Sequence, residues 1–470
     1  MTEIPLTMTD AATALRSGDL TSVALTEACM AAADRLDETL GVYIKRYDET
    51  ALAAAAQADA ELAAGTDRGP LHGIPLGIKD IIASLEGETT GNSVVYDPDW
   101  YAGMDAPVVA RLRAAGAVIT GKLTTMEYAC GLPDPDKPYP IPRNPWDPTT
   151  WPGGSSSGSG AGVSAGLFLG ALGTDTGGSV RLPAAFCGIT GMKQTYGLVP
   201  KAGCLPLGVT LDHIGPMTRS VADAAAMLTV MAGFDASDPS MPPGVTGEDY
   251  SAALTGDLSG LTIGVERANH LGRPGADPGL VEIFDAAVAE LAAAGATIVE
   301  VEIPLYAEVA AATMLCWPVE AFLFHQPWLA ERWEDYGRWT RSVIGTGALL
   351  TAADYDQVLK VRRLGKAALD ELFTSVDLIV GPTCATGAIS YDDLNWDSLM
   401  HTLFTPYWNS VGNPTLSVPM GFTAAGLPLG LQISGKPFAD ALVFTAGDAY
   451  QRRTGHHLAL PALASPAPAP

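Results

Sequence analysis

The stretch WPGGSSSGSGAGVSAGLFLGALGTDTGGSVRLPAAFCG, Trp151 to Gly188, decides how this chain is read. It opens on glycines and serines and closes on an apolar, cysteine-bearing patch. Glycine-serine tracts are ordinarily flexible spacers. This one runs straight into GVSAGLFLGALG without a hydrophilic exit, and a second Gly-Gly-Ser at 177–179 answers the first at 153–155. Two motif readings compete with the linker. GAGVSA (160–165) matches the Gly-x-Gly-x-x-Ala dinucleotide fingerprint, which has meaning only behind a buried strand. The residues in front of it, PWDPTTWPGGSSS, are turn chemistry. Gly154–Gly158 matches the Gly-x-Ser-x-Gly nucleophile elbow, with Ser156 as nucleophile. That motif also needs a preceding strand and a downstream acid and histidine, and His213 and His270 sit in nothing motif-like.

The remaining reading makes the whole stretch one site. Two glycine-serine corners then flank a tightly packed helix of small residues over 160–173. Consecutive glycines free backbone N–H groups to point at one spot, which is how an oxyanion hole is built. Thr176-Gly177-Gly178-Ser179 would supply donors and nucleophile together. A serine hydroxyl needs a base to remove its proton. The stretch holds no histidine. The nearest suggestive base is Lys79, in LHGIPLGIKDII (71–82), a strand entering a tight turn. Burial disfavours an ammonium and lowers its pKa from about 10.4 toward neutrality.

The rest of the chain reads as an α/β protein with helical cover over a sheet. Three- and four-residue apolar spacing predicts helices between 8 and 64, with Thr9 and Thr21 or Ser22 as N-caps. APVVARLRAAGAVITGKLTTMEY reads as helix, strand over AVITGK, then helix. Ser220 caps a helix over 220–233, and strands are expected at 261–266, 376–383 and 413–421. No repeat or long interior linker divides the 470 residues, so a single domain over 1–460 is expected, followed by a disordered Pro/Ala-rich tail at 461–470.

Apolar residues make up 47% of the chain and charged residues 17%, a composition that folds around a core. The net charge of −25 opposes binding to phosphate backbones or anionic lipid, so neither a nucleic acid nor a membrane is expected as partner. There is no run of about 18 apolar residues and no signal-like N-terminus. Six cysteines without a CxxC pair predict reduced thiols in a cytoplasmic protein.

Seven segments, in order, resemble the amidase signature family of serine hydrolases: GPLHGIPLGIKDII, GKLTTMEYACG, NPWDPTTWPGGSSSGS, GTDTGGSVRLPAAFCGITGMKQTYGLVP, LDHIGPMTRSVADAA, DLIVGPT and NSVGNPTLSVPMG with GLPLGLQISG. The resemblance implies one α/β domain with a mixed, mostly parallel sheet covered by helices. It makes Ser179 the nucleophile, Ser155 the bridging serine behind a cis Gly154–Ser155 bond, and Lys79 the base. The oxyanion hole would be the N–H groups of Thr176, Gly177, Gly178 and Ser179. Asp175 and Arg181 look like supports, and Ser156 like a partner of the lysine. No metal or cofactor is implied. Ser155-Ser156-Ser157-Gly158-Ser159 departs from the family's usual Ser-Ser-Gly-Gly-Ser, Gln194 replaces a common proline, and Leu198 stands where arginine is frequent. These departures leave the three site residues untouched and bear on the subfamily.

The expected substrate is a neutral small amide, with aryl esters and carbamates alongside. The rival readings are a glutamine-hydrolysing subunit of an amidotransferase, or a non-catalytic binding protein on the same fold. Met126, Tyr128, Cys130, Leu205, Pro206 and Trp408 are the candidate pocket residues. A monomer or homodimer is expected.

Overall fold

A computed structural model describes residues 4–464. Among the described residues, the β-branched and apolar segments form eleven strands: β1 (Tyr43–Arg46), β2 (Pro75–Lys79), β3 (Val118–Leu123), β4 (Gly170–Asp175), β5 (Thr190–Lys193), β6 (His213–Thr218), β7 (Thr262–Glu266), β8 (Thr297–Val301), β9 (Leu378–Pro382), β10 (Thr415–Phe422) and β11 (Pro428–Gly435). They make one mixed sheet in the order β1-β3-β2-β4-β6-β5-β10-β11-β9-β7-β8. Parallel pairing occurs in two blocks, β3-β2-β4 and β9-β7-β8. Antiparallel ladders join the blocks and add β1 at one edge. Helices cover the sheet, as the α/β alternation predicts. Residues buried on both faces give β2, β3 and β4 their continuous apolar and small-residue runs.

The Gly/Ser stretch is no linker. From Trp151 to Ala165 every residue is buried. Its helix is shorter than expected, however, running only from Ser157 to Ala165. Gly166 ends it in the left-handed conformation, and Leu167–Leu169 turn the chain into β4 beside β2. Phe168 lies so close to Gly162 that a Cβ there would come within 2.1 Å of the ring, which is why the helix is built of small residues. The helix expected after β3 is a short 3-10 turn, Glu127–Ala129, because Tyr128 and Ala129 adopt positive φ. Thr21 and Ser220 cap as expected, whereas Thr7 rather than Thr9 caps the first helix.

Helix Tyr306–Arg332 contains no unbroken apolar run of 18 residues, yet with its extension to Asp335 it has the length and mean hydropathy, 1.4, of a membrane span. It packs against helices Arg338–Thr346, Ala352–Leu372 and Pro406–Val411 and buries Cys316, Trp317 and Ala321. All six cysteines are unpaired. Of the expected tail, 461–464 form a turn and 465–470 lie outside the described residues.

Candidate active site

Lys79 is the last residue of β2, and β2 runs parallel to both neighbours. Parallel register places Ile78 opposite Leu172, so the carboxyl ends of β2 and β4 open on the same side. Crevices outside such strand ends are where α/β sheets bind ligands. The fully buried Lys79 Nζ meets three hydroxyls there: Ser155 Oγ at 2.7 Å, Thr174 Oγ1 at 2.7 Å and Ser156 Oγ at 3.0 Å. Burial pulls its pKa down to about 7, against the pull of Cys204, Asp175 and Asp212 in the other direction.

The Gly154–Ser155 peptide is cis, and the Ser155 carbonyl accepts from the Met126 N–H. Ser156 is fully buried. Its hydroxyl accepts from Lys79 and the Thr174 N–H and donates to the Thr174 carbonyl. It therefore sits under the lysine rather than on an exposed elbow. His213 contacts the Asp175 carbonyl, and His270 pairs with Glu266; neither is hydrogen-bonded to a serine. GAGVSA lies inside the helix that follows a turn, so the dinucleotide reading loses its required strand.

Asp175 and Arg181 form a fully buried ion pair, with N···O distances of 2.9 and 3.0 Å. Burial alone would raise the Asp175 pKa, but Arg181, with Lys193 and Asn409, holds the carboxyl well below the usual carboxylate range. Arg181 also donates to Gln432, Asn409 and the Thr405 carbonyl, which ties β11 and the 405–411 segment to the turn after β4. The Gly178 N–H donates to Asp175 Oδ1 at 2.8 Å. Of the four N–H groups expected as oxyanion donors, this one is therefore committed to a buried carboxylate. Among the described residues, the N–H groups of Thr176, Gly177 and Ser179 make no hydrogen bond within the chain. Thr176 Oγ1 donates to Asp212 Oδ1 at 2.5 Å, and Asp212 also accepts from the Leu207 and Gly208 N–H groups.

Ser155, Thr176, Gly177, Gly178 and Ser179 all line one cavity of about 570 Å³, measured with its mouth. Lys79 lies behind its wall. The other side chains of the lining are largely apolar: Met126, Cys130, Trp151, Met314, Trp317 and Trp396, with Leu182, Leu207, Leu399 and Leu403. Among the described residues, none that lines the cavity is charged. Met126 and Cys130 line this cavity, while the four other candidates do not. Tyr128 turns its ring onto His325 and Tyr336 and its hydroxyl onto the Val95 carbonyl, a consequence of its left-handed backbone. Leu205 belongs to the main core, and the chain past Pro206 offers Leu207 to the cavity instead. Trp408 packs with Tyr407 and Val411 in a separate core cluster. Thr174 is a site residue that sequence reasoning missed, though period-two alternation along β4 would have placed it. Trp317 and Trp396 come from helices far along the chain and carried no local signal.

The amidase family model matches residues 24–444. The chain is 40% identical to the A subunit of the glutamyl-tRNA(Gln) amidotransferase of Chloroflexus aurantiacus, over 98% of this chain and 100% of that one. It is 38% identical to the putative amidase AmiD of Mycobacterium tuberculosis, over 96% and 95%. The native peptide amidase of Stenotrophomonas maltophilia superposes with a TM-score of 0.83 at 31% identity, covering 96% of this chain and 98% of that one. The corresponding amidotransferase chain of Thermotoga maritima superposes at 0.78 with 31% identity, covering 93% and 95%. Fold and sequence agree over nearly the full length, and this chain belongs to the amidase signature family of enzymes that cleave amide C–N bonds.

Proposed function

We propose that the protein hydrolyses neutral small-molecule amides through an acyl-enzyme on Ser179, with Lys79 as base and Ser155 as the relay between them. The observation that carries this reading is the surroundings of Lys79. A buried amine that meets only hydroxyls, with a pKa near 7, is available in its neutral form as a base. Neutral Lys79 takes the Ser155 proton as Ser155 takes that of Ser179. Ser179 Oγ then bonds to the substrate carbonyl carbon. The oxyanion forms against the free N–H groups of the 176–179 turn. Return of the proton through Ser155 to the departing nitrogen breaks the C–N bond, and water reverses the sequence to release the acid. Ser156 and Thr174 hold the amine, and the Asp175–Arg181 pair holds the turn. No step calls for a metal or cofactor.

The uncharged lining and its three tryptophans support an apolar or aryl substrate group. Aryl esters fit the same chemistry. Aryl carbamates fit it at a lower rate, because both heteroatoms donate into the carbonyl. The six unpaired thiols support a reducing, cytoplasmic setting. One test decides the core of this reading. A fluorophosphonate should add to the peptide carrying Ser179, and matched anilide, ester and carbamate of one aryl group should be turned over in the order ester, anilide, carbamate. Labelling at Ser156, or loss of activity in a chelator with recovery on zinc, would overturn it.

A second reading is favoured by the 40% identity to an amidotransferase chain. On that reading the protein would hydrolyse glutamine together with partner subunits. A glutamine zwitterion would meet no charged side chain in this cavity. Turnover of glutamine alone, dependent on co-purifying partner subunits, would decide for it.

A further inference from the structure

We propose that Thr405 is a positioning residue for the oxyanion site: its hydroxyl holds the Gly177–Gly178 peptide so that the flanking N–H groups face the reacting carbonyl. This rests on the reading of the 176–179 turn given above. Thr405 stands at the N-cap of helix Pro406–Val411, where a threonine ordinarily turns its hydroxyl onto the first N–H groups of its own helix. It makes no such bond. Its Oγ1 instead donates to the Gly177 carbonyl at 2.6 Å, across 228 residues of sequence. The N–H of that same peptide unit, on Gly178, donates to Asp175 Oδ1 at 2.8 Å. One peptide plane is thus held at both ends, with its carbonyl on Thr405 and its N–H on Asp175.

The hold is tight and closed on itself. Gly178 has φ +132, and a Cβ there would lie 2.0 Å from Thr405 Oγ1, so the hydroxyl packs directly on backbone. The Thr405 carbonyl accepts from Arg181, which also pairs with Asp175. Thr405 therefore cannot withdraw without disturbing the ion pair that holds the other end of the peptide. Thr405 is fully buried and does not line the cavity, so it acts through the turn and not on substrate. Gly177 and Ser179, on either side of the held peptide unit's N–H, do line the cavity, and their own N–H groups have no partner within the chain. With the peptide between them fixed, they need no reorganisation when charge develops, and such preorganisation is what makes an oxyanion site effective.

Three variants test this in the full-length protein. Thr405→Ser keeps the hydroxyl, Thr405→Cys replaces it with a weak donor of similar size, and Thr405→Ala removes it. Each is compared with wild type for kcat and KM on one neutral anilide, for the rate of fluorophosphonate addition at Ser179, and for Tm. We expect kcat to fall roughly 10- to 100-fold in the Cys and Ala variants with KM unchanged, below the loss of about 10²–10³ seen when a donor is removed outright. The fluorophosphonate rate should fall in parallel, and the conservative Thr405→Ser change should retain both rates. Equal kcat and equal labelling rates in wild type, Cys and Ala would overturn the proposal, as would equal losses in Ser and Ala. A change in KM or Tm alone, with kcat intact, also overturns it, because that is the signature of a purely structural threonine. Failure of wild type to label at Ser179 would instead overturn the reading of the site itself.

Discussion

Two lysines lie fully buried on adjacent parallel strands, and their surroundings differ. Lys122 on β3 faces the Asp80 carboxylate at 3.2 Å, together with Thr89 and the Ile82 carbonyl. Lys79 on β2 faces three hydroxyls and no carboxylate. Burial lowers both pKa values. Only at Lys122 does a contacting carboxylate oppose that fall, and the two form a buried structural pair. The hydroxyl pocket leaves Lys79 near 7, able to accept a proton and to return it. At Lys79 it is burial without a counter-charge in contact, beside hydroxyls that can exchange the proton, that suits the amine to act as a base.

The largest effect is expected from removing the nucleophile that the amine serves. Ser179→Ala should lower kcat by on the order of 10⁴-fold or more while Tm is retained, since no other group forms the acyl-enzyme. Residual turnover within tenfold of wild type would make the Lys79 pocket irrelevant to the chemistry. Lys79→Ala comes next. Base catalysis contributes about 10²–10⁴-fold, and kcat should fall in that range with fluorophosphonate addition slowed alongside.

The working form of Lys79 is neutral, so kcat/KM should fall about tenfold per unit below a midpoint near 7 and level off above it. A profile flat from pH 5 to 9, with chemistry rate-limiting, would place the working proton elsewhere. Trp317→Ala changes the apolar wall without touching the lysine. It should raise KM for an aryl amide by roughly tenfold and leave a small aliphatic amide nearly unaffected, as expected when apolar packing is taken away from one side of a pocket.

The smallest effect on rate belongs to Lys122→Met. It strands Asp80 in the core, and losing one partner of a buried pair typically costs about 3–5 kcal/mol, so Tm should drop clearly while kcat of the folded fraction stays close to wild type. A large loss of kcat at full stability would mean that the two pockets act as one.

The pairing of glycine corners with a distant apolar-strand lysine was legible because it is a matter of residue type. Consecutive glycines before a serine, and a lysine inside β-branched sequence, are unusual enough to be read without coordinates. Element types were legible where periodicity was long, as in the helices near the N-terminus and Val221–Met231. Where they failed, at the end of helix Ser157–Ala165 and in the turn at Glu127–Ala129, left-handed residues broke a pattern that composition alone would have continued.

The family, the α/β class and the three residues proposed for the chemistry follow from local motifs and their order along the chain. Only the fold shows that Thr174 completes the lysine pocket, that the Gly178 N–H is committed to Asp175, and that Trp317 and Trp396 rather than Tyr128 and Trp408 line the cavity. The reason is physical. A hydrogen bond or a packed ring is fixed by where two backbones come to lie, and Thr405 meets Gly177 across 228 residues that leave no trace of the meeting in either segment.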